Sequence, residues 1–267
     1  MPTPTSCIGL CWPQVATGTP TGGDWVPTLP LANLNSTRIT KVARSVNASL
    51  LKTQWVEQVP AAAQALILKW CNLSSAAKLR LSVGTTSGAN DLYAGNWVDY
   101  FRYTPASGIT ARQVDGIIVT PTEMPADAWW KVEIDDTANA DGYVEIGHRH
   151  IAPLWQPAIS AAYGLQDGVE DLSESDASDG GDECFVDREN RRFVQLVLEV
   201  LTPEEGATLH DMQRTLGKNG HLYYLPNPAD LAYSQRYSFL ARQRELSALE
   251  YPHPRTRRQP MRLTERL

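Results

Sequence analysis

Four groups of residues in this 267-residue sequence are of types and spacings that could do chemistry. His148-Arg149-His150 sets two imidazoles two positions apart, on one face if the segment is a strand, where a metal could take both. The nearby sequence supplies no further ligand, so exposed strand residues are the expectation. Asp176, Asp179, Asp182 and Glu183 offer the oxygen ligands that calcium prefers, in a stretch with Gly180 and Gly181. They lack the alternation and the twelfth-position Glu of a standard calcium loop, which leaves a solvated acidic loop. An alternative is that Asp176, Asp179 and Asp182 meet Arg255, Arg257 and Arg258 on an adjacent copy of the chain. Trp97, Tyr100, Trp129 and Trp130 could stack against a sugar or fill an interface. Neighbours on a strand point to opposite faces, so one of Trp129 and Trp130 is expected in the core and the other at a contact. Cys7 and Cys11 could contribute to a metal or iron–sulfur site, but no second close pair and no His at ligand spacing accompanies them. With Cys71 and Cys184 they are too few and too scattered for a disulfide framework, so buried or idle thiols are expected.

Catalysis finds no pattern. The sequence has no Gly-x-Ser-x-Gly elbow, no phosphate-cradling glycine loop followed by Lys, no His-Glu-x-x-His and no Cys-x-x-Cys. Asp135 and Asp136 are adjacent carboxylates, but they sit in a stretch whose Asn, Asp and Gly residues already read as a turn. The expectation is a protein that is not an enzyme, with no catalytic residue, no cofactor and no metal.

The elements that must carry these groups are mostly strands. Eighteen glycines and eighteen prolines punctuate the chain too often for long helices. Residues 49–156 give a buried run ALILKWCNL, an alternating LRLSV, then WVDYFRY, GIIVT, WWKVEID and YVEIGHRHI at short intervals, the spacing of a β-sandwich or jelly roll. Asp135–Gly142 reads as a hairpin connection. Residues 1–48 are too short to fold alone, and their apolar set, Ile39, Val42 and Val46, must find its core in a distant part of the chain or a neighbouring subunit. Residues 157–267 begin with an acidic stretch and continue with the strand FVQLVLEVL. One short helix follows from Thr202, where Thr-Pro-Glu-Glu supplies a cap, a first-turn proline and carboxylates, and Gly217 or Gly220 stops it. HLYYLP and RYSFLARQRELSALEYP are predicted as further strands, with Asn227–Asp230 turning between them.

A formal net charge of -6 gives no attraction to a phosphate backbone, so nucleic acid is not an expected partner. No stretch approaches the roughly 20 apolar residues that span a bilayer, and the opening MPTPTSCIGLCWPQ lacks a signal peptide's charged start and apolar run. Membrane insertion is not expected, and synthesis in the cytoplasm is.

Two parts of the chain resemble proteins of siphophage baseplates and tail tips. WWKVEIDDTANADGYVEIGHRHIAPLWQP, residues 129–157, is similar to a pattern of paired aromatics, alternating strand, acidic hairpin, Gly-Tyr and closing aromatic-Gln-Pro. In such proteins it forms the last hairpin of a galactose-binding-like, or discoidin-like, β-sandwich. The later series of strand, short helix, LYYLPNPAD, long strand and terminal MRLTERL is similar to a distal tail protein belt. The resemblance implies a mainly β subunit in which residues 1–48 and 157–267 build a β-belt domain, with the sandwich of 49–156 inserted between them. It also implies a homo-oligomeric ring in the virion, made in the host cytoplasm, that joins the tail tube to hub and fibres. Phe193–Leu201, Leu222–Leu225 and Leu263–Leu267 would then contact neighbours as well as the local core. The rival expectation is a carbohydrate-binding or receptor-recognition protein whose sandwich takes a cell-surface glycan.

Overall fold

The structure is a computed structural model and describes residues 3–36, 38, 40–177 and 183–266. It is mainly β, and among the described residues no helix is long and apolar enough to cross a membrane. The chain forms two compact units, Met1–Trp155 with Leu225–Ser238, and Gln156–Tyr224 with Phe239–Leu267.

The first unit holds β1 (Gly9–Cys11), β2 (Ala43–Arg44), β3 (Gln54–Val59), β4 (Ala63–Lys69), β5 (Lys78–Gly84) and β6 (Tyr93–Ala94). It continues with β7 (Val98–Asp99), β8 (Gly116–Met124), β9 (Ala128–Asp135), β10 (Glu145–Ile146), β11 (His148–Ala152) and β12 (Leu154–Trp155). One sheet runs β3-β9-β5 with β6 and β7 both on β5, and a second runs β11-β4-β8, antiparallel throughout. The period-2 alternation of the sequence sets the packing. Trp130, Val132 and Ile134 of β9 face inward with Trp55, Leu79 and Leu81, against Leu66, Leu68 and Ile151 from the second sheet. Burying two indoles completely makes this core the main source of the unit's stability, at roughly 25 cal/mol for each Å² of apolar surface removed from water.

Residues 1–48, expected to share a domain with 157–267, lie in this unit, and Val15, Leu31, Leu34, Ala43 and Ala48 enter its core. The apolar set proposed for them is corrected. Val42 is half-buried and Val46 is 50% exposed, because the strand there turns Ala43 and Ser45 inward instead; Ile39 lies outside the described residues. The segment is closed on itself by an isolated bridge from Trp25 to Ser45 and held to the sandwich by one from Thr21 to Val56 and by a buried polar knot. There the Arg149 guanidinium pairs with Glu57 and donates to Thr17 Oγ1 (2.5 Å) and Asn35 Oδ1 (2.8 Å), while Trp55 Nε1 donates to Glu57 Oε1 (2.8 Å). A buried charge requires such partners, and two of them come from residues 1–48.

Asp135–Gly142 turns, with Gly142 at φ 74°, but it does not close a hairpin. Strand β9 pairs with β3 and β5, whereas β10 pairs with β2. Asp136 accepts from Ser74 N (2.9 Å) and from Asn139 Nδ2 (2.7 Å), and Asn139 Nδ2 also donates to Asn72 O (3.0 Å). The turn residues are thus spent on anchoring the connection to 72–74.

The second unit holds β13 (Gln166–Glu170), β14 (Glu174–Ala177), β15 (Glu183–Val186), β16 (Arg191–Leu201), α1 (Pro203–Leu216) and β17 (Leu222–Leu225). After α2 (Leu231–Tyr237), which belongs to the first unit, come β18 (Phe239–Arg242), β19 (Glu250–His253) and β20 (Thr256–Glu265). The sheet order is β17-β18-β20-β16-β13, with β19 folded back on β20 and β14 paired only with β15. Helix α1 starts where expected: Thr202 accepts from Glu205 N, the Glu205 carboxylate accepts from Thr202 N, and Pro203 opens the first turn. Gly217 ends it at φ 54°. The long strand expected from Arg236 is corrected. Asp230 accepts from Ala232 N and Tyr233 N and so caps a second helix, and only Phe239–Arg242 is strand before β19. Within the first unit α2 is fixed by Gln235, whose amide donates to Tyr100 O (2.6 Å) and Asp115 O (2.8 Å) and accepts from Arg102 N (2.7 Å).

Candidate functional site: two surfaces

The outer face of the β3-β9-β5 sheet brings two of the four candidate aromatics together. Register places Glu133 opposite Arg80, Lys131 opposite Ser82 and Trp129 opposite Gly84, all on the face away from Trp130 and Val132. Arg80 donates from Nε and Nη2 to the two oxygens of Glu133, both at 2.8 Å, and lies 4.6 Å above the Trp97 ring. Lys131 Nζ is 3.0 Å from Glu133 Oε1. Burial alone would raise the Glu133 carboxyl, but the hydrogen bonds from Arg80 and Lys131 outweigh it and hold the group below its ordinary value. The result is a fixed row of indole, guanidinium, carboxylate and ammonium, with half-buried Trp129 further along the same face. Four strand positions separate Trp129 from the Arg80–Glu133 pair, about 13 Å. Tyr100 is corrected as a surface candidate, and of the paired tryptophans Trp130 is the one in the core. Trp130 is wholly buried, and Tyr100, 1% exposed, donates its hydroxyl to Val114 O and packs edge-on to Phe101.

His148 and His150 are also corrected, from exposed to buried, with ring centroids 6.3 Å apart and His150 Nε2 3.1 Å from Cys11 O. They lie on the face of β11 that shares β4 with Ile67 and Lys69, a strand buried along its whole length. Lys69 pairs there with Asp115 at 3.3 Å. Cys11 and Cys71 are buried free thiols, both pushed far up by desolvation, which makes them poor ligands and nucleophiles; Cys7 is half-buried.

The second surface belongs to the second unit. Its hairpin of β14 and β15 exposes Phe185 and Val186, 64% and 56%, and the neighbouring edge strand β13 exposes Val169. Asp176 lies on β14 and is exposed; Asp179 and Asp182 fall outside the described residues. Of the three basic candidates, Arg255 is exposed at the turn between β19 and β20. Arg257 stacks 4.3 Å over Tyr251 and donates to the carbonyls of Pro254 (3.2 Å) and Thr256 (3.0 Å), and Arg258 pairs with Glu250 at 3.0 Å. Val194, Leu196, Leu198 and Leu201 of β16, all of β17, and Leu263 of β20 are buried. Leu267 lies outside the described residues.

No protein-family model matches the chain, and no curated protein matches it. Among solved structures it is similar to CBM32-1 from a family 31 glycoside hydrolase from Clostridium perfringens, with a TM-score of 0.35 and 9% identity. That likeness covers 52% of this chain and 96% of the other.

The sequence did not single out Arg80, Lys131, Glu133 or Phe185. Alternation in WWKVEID already sets Trp129, Lys131 and Glu133 on one face, but Arg80 and Trp97 reach that face through a strand register that spacing alone does not encode. The acidic stretch, which reads as loop or bent strand, carries strands β13, β14 and β15, and its low apolar content gives no signal for the exposed Phe185 and Val186 at its end.

Proposed function

We propose that this chain is a virion structural protein of a tailed phage, a ring-forming distal-tail or baseplate component that links tail tube to hub and fibres, and that it is not an enzyme. The observation that carries the reading is where large apolar side chains are left exposed. Among the described residues, nine of the fourteen lie in the second unit, although it is the smaller of the two. Seven of the nine occupy its edge strand, its hairpins and the segment before β13, and the other two are Val200 near the end of β16 and Leu246 ahead of β19, positions at which an isolated soluble subunit gains nothing from them and an assembled one covers them. The resemblance of residues 129–157 and of the C-terminal series to tail-tip proteins supports the same reading. Light scattering across a range of concentration, followed by negative-stain imaging, tests it. Closed rings of one size are the expected result, and a persistent monomer would overturn it.

A second reading rests on the outer sheet face, where Trp97 and Trp129 flank the Arg80–Glu133–Lys131 row. Indoles for stacking and fixed polar groups for hydroxyls are what a carbohydrate site needs. In this reading the protein takes a cell-surface glycan. Binding of the whole chain to host cell-wall polysaccharide, lost in Trp129→Ala, would support it. The whole chain is required because the core includes residues 1–48.

A further inference from the structure

The second unit carries a surface and its complement at opposite ends of one strand. Residues 167–189 contain ten carboxylates and one arginine, a net of -9 in a chain whose total is -6. Within that stretch Arg188 pairs with Glu174 at 2.8 Å, and Arg191, just beyond it, pairs with Glu170. Among the described residues, Asp176, Glu183, Asp187 and Glu189 have no cationic partner. Among the described residues β14 and β15 are bonded to no other strand, and cross-strand pairing puts Phe185 beside Ser175 on one face and Val186 beside Glu174 on the other. A lone two-stranded hairpin with both faces wet is at best marginally stable, so this acidic, apolar arm is built to be covered.

The complement is the β19–β20 hairpin. Its tip exposes Tyr251 by 67%, backed by Arg257, and Arg255 stands exposed at the turn. Arg255 is free of any carboxylate, and Arg257 bonds only carbonyls on the described surface. Apolar centre and positive rim match the arm's apolar centre and negative rim. The two cannot meet within one chain. Strand β13 leads into the arm at the Arg191 end of β16, where Glu170 faces Arg191, while the β19–β20 hairpin lies at the other end, where Leu201 faces Arg257. Ten residues of strand separate these points, about 33 Å.

We propose that the β14–β15 arm of one copy docks on the β19–β20 hairpin of the next, head to tail, with Phe185 meeting Tyr251, Glu183 on the same face of the arm meeting Arg255 and Arg257, and Asp176 adding negative charge at the rim. The proposal rests on the reading of the protein as a self-assembling subunit and names the surface that does it. Two different patches on one subunit make a heterologous contact, which propagates until it closes into a ring or runs on as a filament.

The test uses two variants of the full chain, Asp176→Lys/Glu183→Lys on the arm and Tyr251→Ala/Arg255→Glu on the hairpin, with the wild type as reference. The wild type is expected to assemble to several times its 29.5 kDa monomer mass. Each variant alone is expected to stay monomeric with an unchanged circular dichroism spectrum. An equimolar mixture keeps one good arm and one good hairpin, so light scattering should find a doubled mass and nothing larger. Variants that still form wild-type rings, or a mixture that stays monomeric, would overturn this contact while leaving the ring reading standing. A wild type that is monomeric at every concentration would remove both.

Discussion

Trp129 and Trp130 are neighbours in sequence and opposites in environment, and the difference sets what each substitution does. Trp130 fills the sandwich core with no exposed surface, so Trp130→Ala should cost about 3–5 kcal/mol and be read directly in the urea midpoint. Trp129 stands half-buried on the outer face, where Trp129→Ala should cost about 1 kcal/mol or less and leave the fold intact. That contrast makes Trp129 the informative position for any glycan assay. Glu133, on the same face, gives a pH signature. Its folded value is depressed, so its contribution to stability is present above the ordinary glutamate value near 4.5 and is lost as pH falls through the lower folded value. Urea unfolding of the wild type should therefore weaken on this acid limb. Glu133→Gln should lower the midpoint at neutral pH, where Arg80 and Lys131 lose their partner, and flatten the acid limb.

The elements that were legible in the sequence are those whose determinants are local. The start of helix α1 is written in four consecutive residues, Thr202 to Glu205: Thr202 and Glu205 form the capping box, Pro203 opens the first turn and Glu204 adds a first-turn carboxylate; Thr202→Ala should cost about 1 kcal/mol in the same unfolding experiment. Helix α2 was missed because seven residues are too few for a 3.6-residue period, and its cap, Asp230, sits in Asn-Pro-Ala-Asp, which reads equally as a turn. Strands of the sandwich were read from alternation, yet the face on which Arg80, Trp97 and Glu133 converge was not, since register is a property of pairs. Least legible was the place of residues 1–48. Their anchor, Arg149, is more than a hundred residues away from Thr17 and Asn35. Arg149→Ala leaves the Glu57 carboxylate buried without a cation, a loss of about 3–5 kcal/mol. It should also open the chain to protease between Thr17 and Asn35. Adding Glu57→Gln removes the orphaned charge and should recover part of the lost stability, a sign that the penalty is electrostatic and not a packing defect.

For the whole molecule, charge and apolar exposure point in different directions, and assembly is where they are reconciled. A chain of net charge -6 repels its copies at long range, but the charge is concentrated: residues 167–189 hold more negative charge than the entire protein, which leaves the remainder net positive. Copies placed head to tail bring the acidic arm against that positive remainder, so the same residues that oppose random contact favour one orientation. The electrostatic share of this contact is exposed, and so it must respond to salt. The screening length falls from about 10 Å at 0.1 M to about 3 Å at 1 M, which weakens attraction between arm and hairpin and leaves the Phe185–Tyr251 apolar contact in place. Sedimentation velocity should show assembly weakened as salt rises, with a shallower response in Arg255→Gln, which has already lost one of the charges. Assembly that strengthens steadily with salt would mean that apolar burial alone drives it, and would shift the contact from the charged arm to the exposed apolar residues before β13, Ile159, Tyr163 and Leu165.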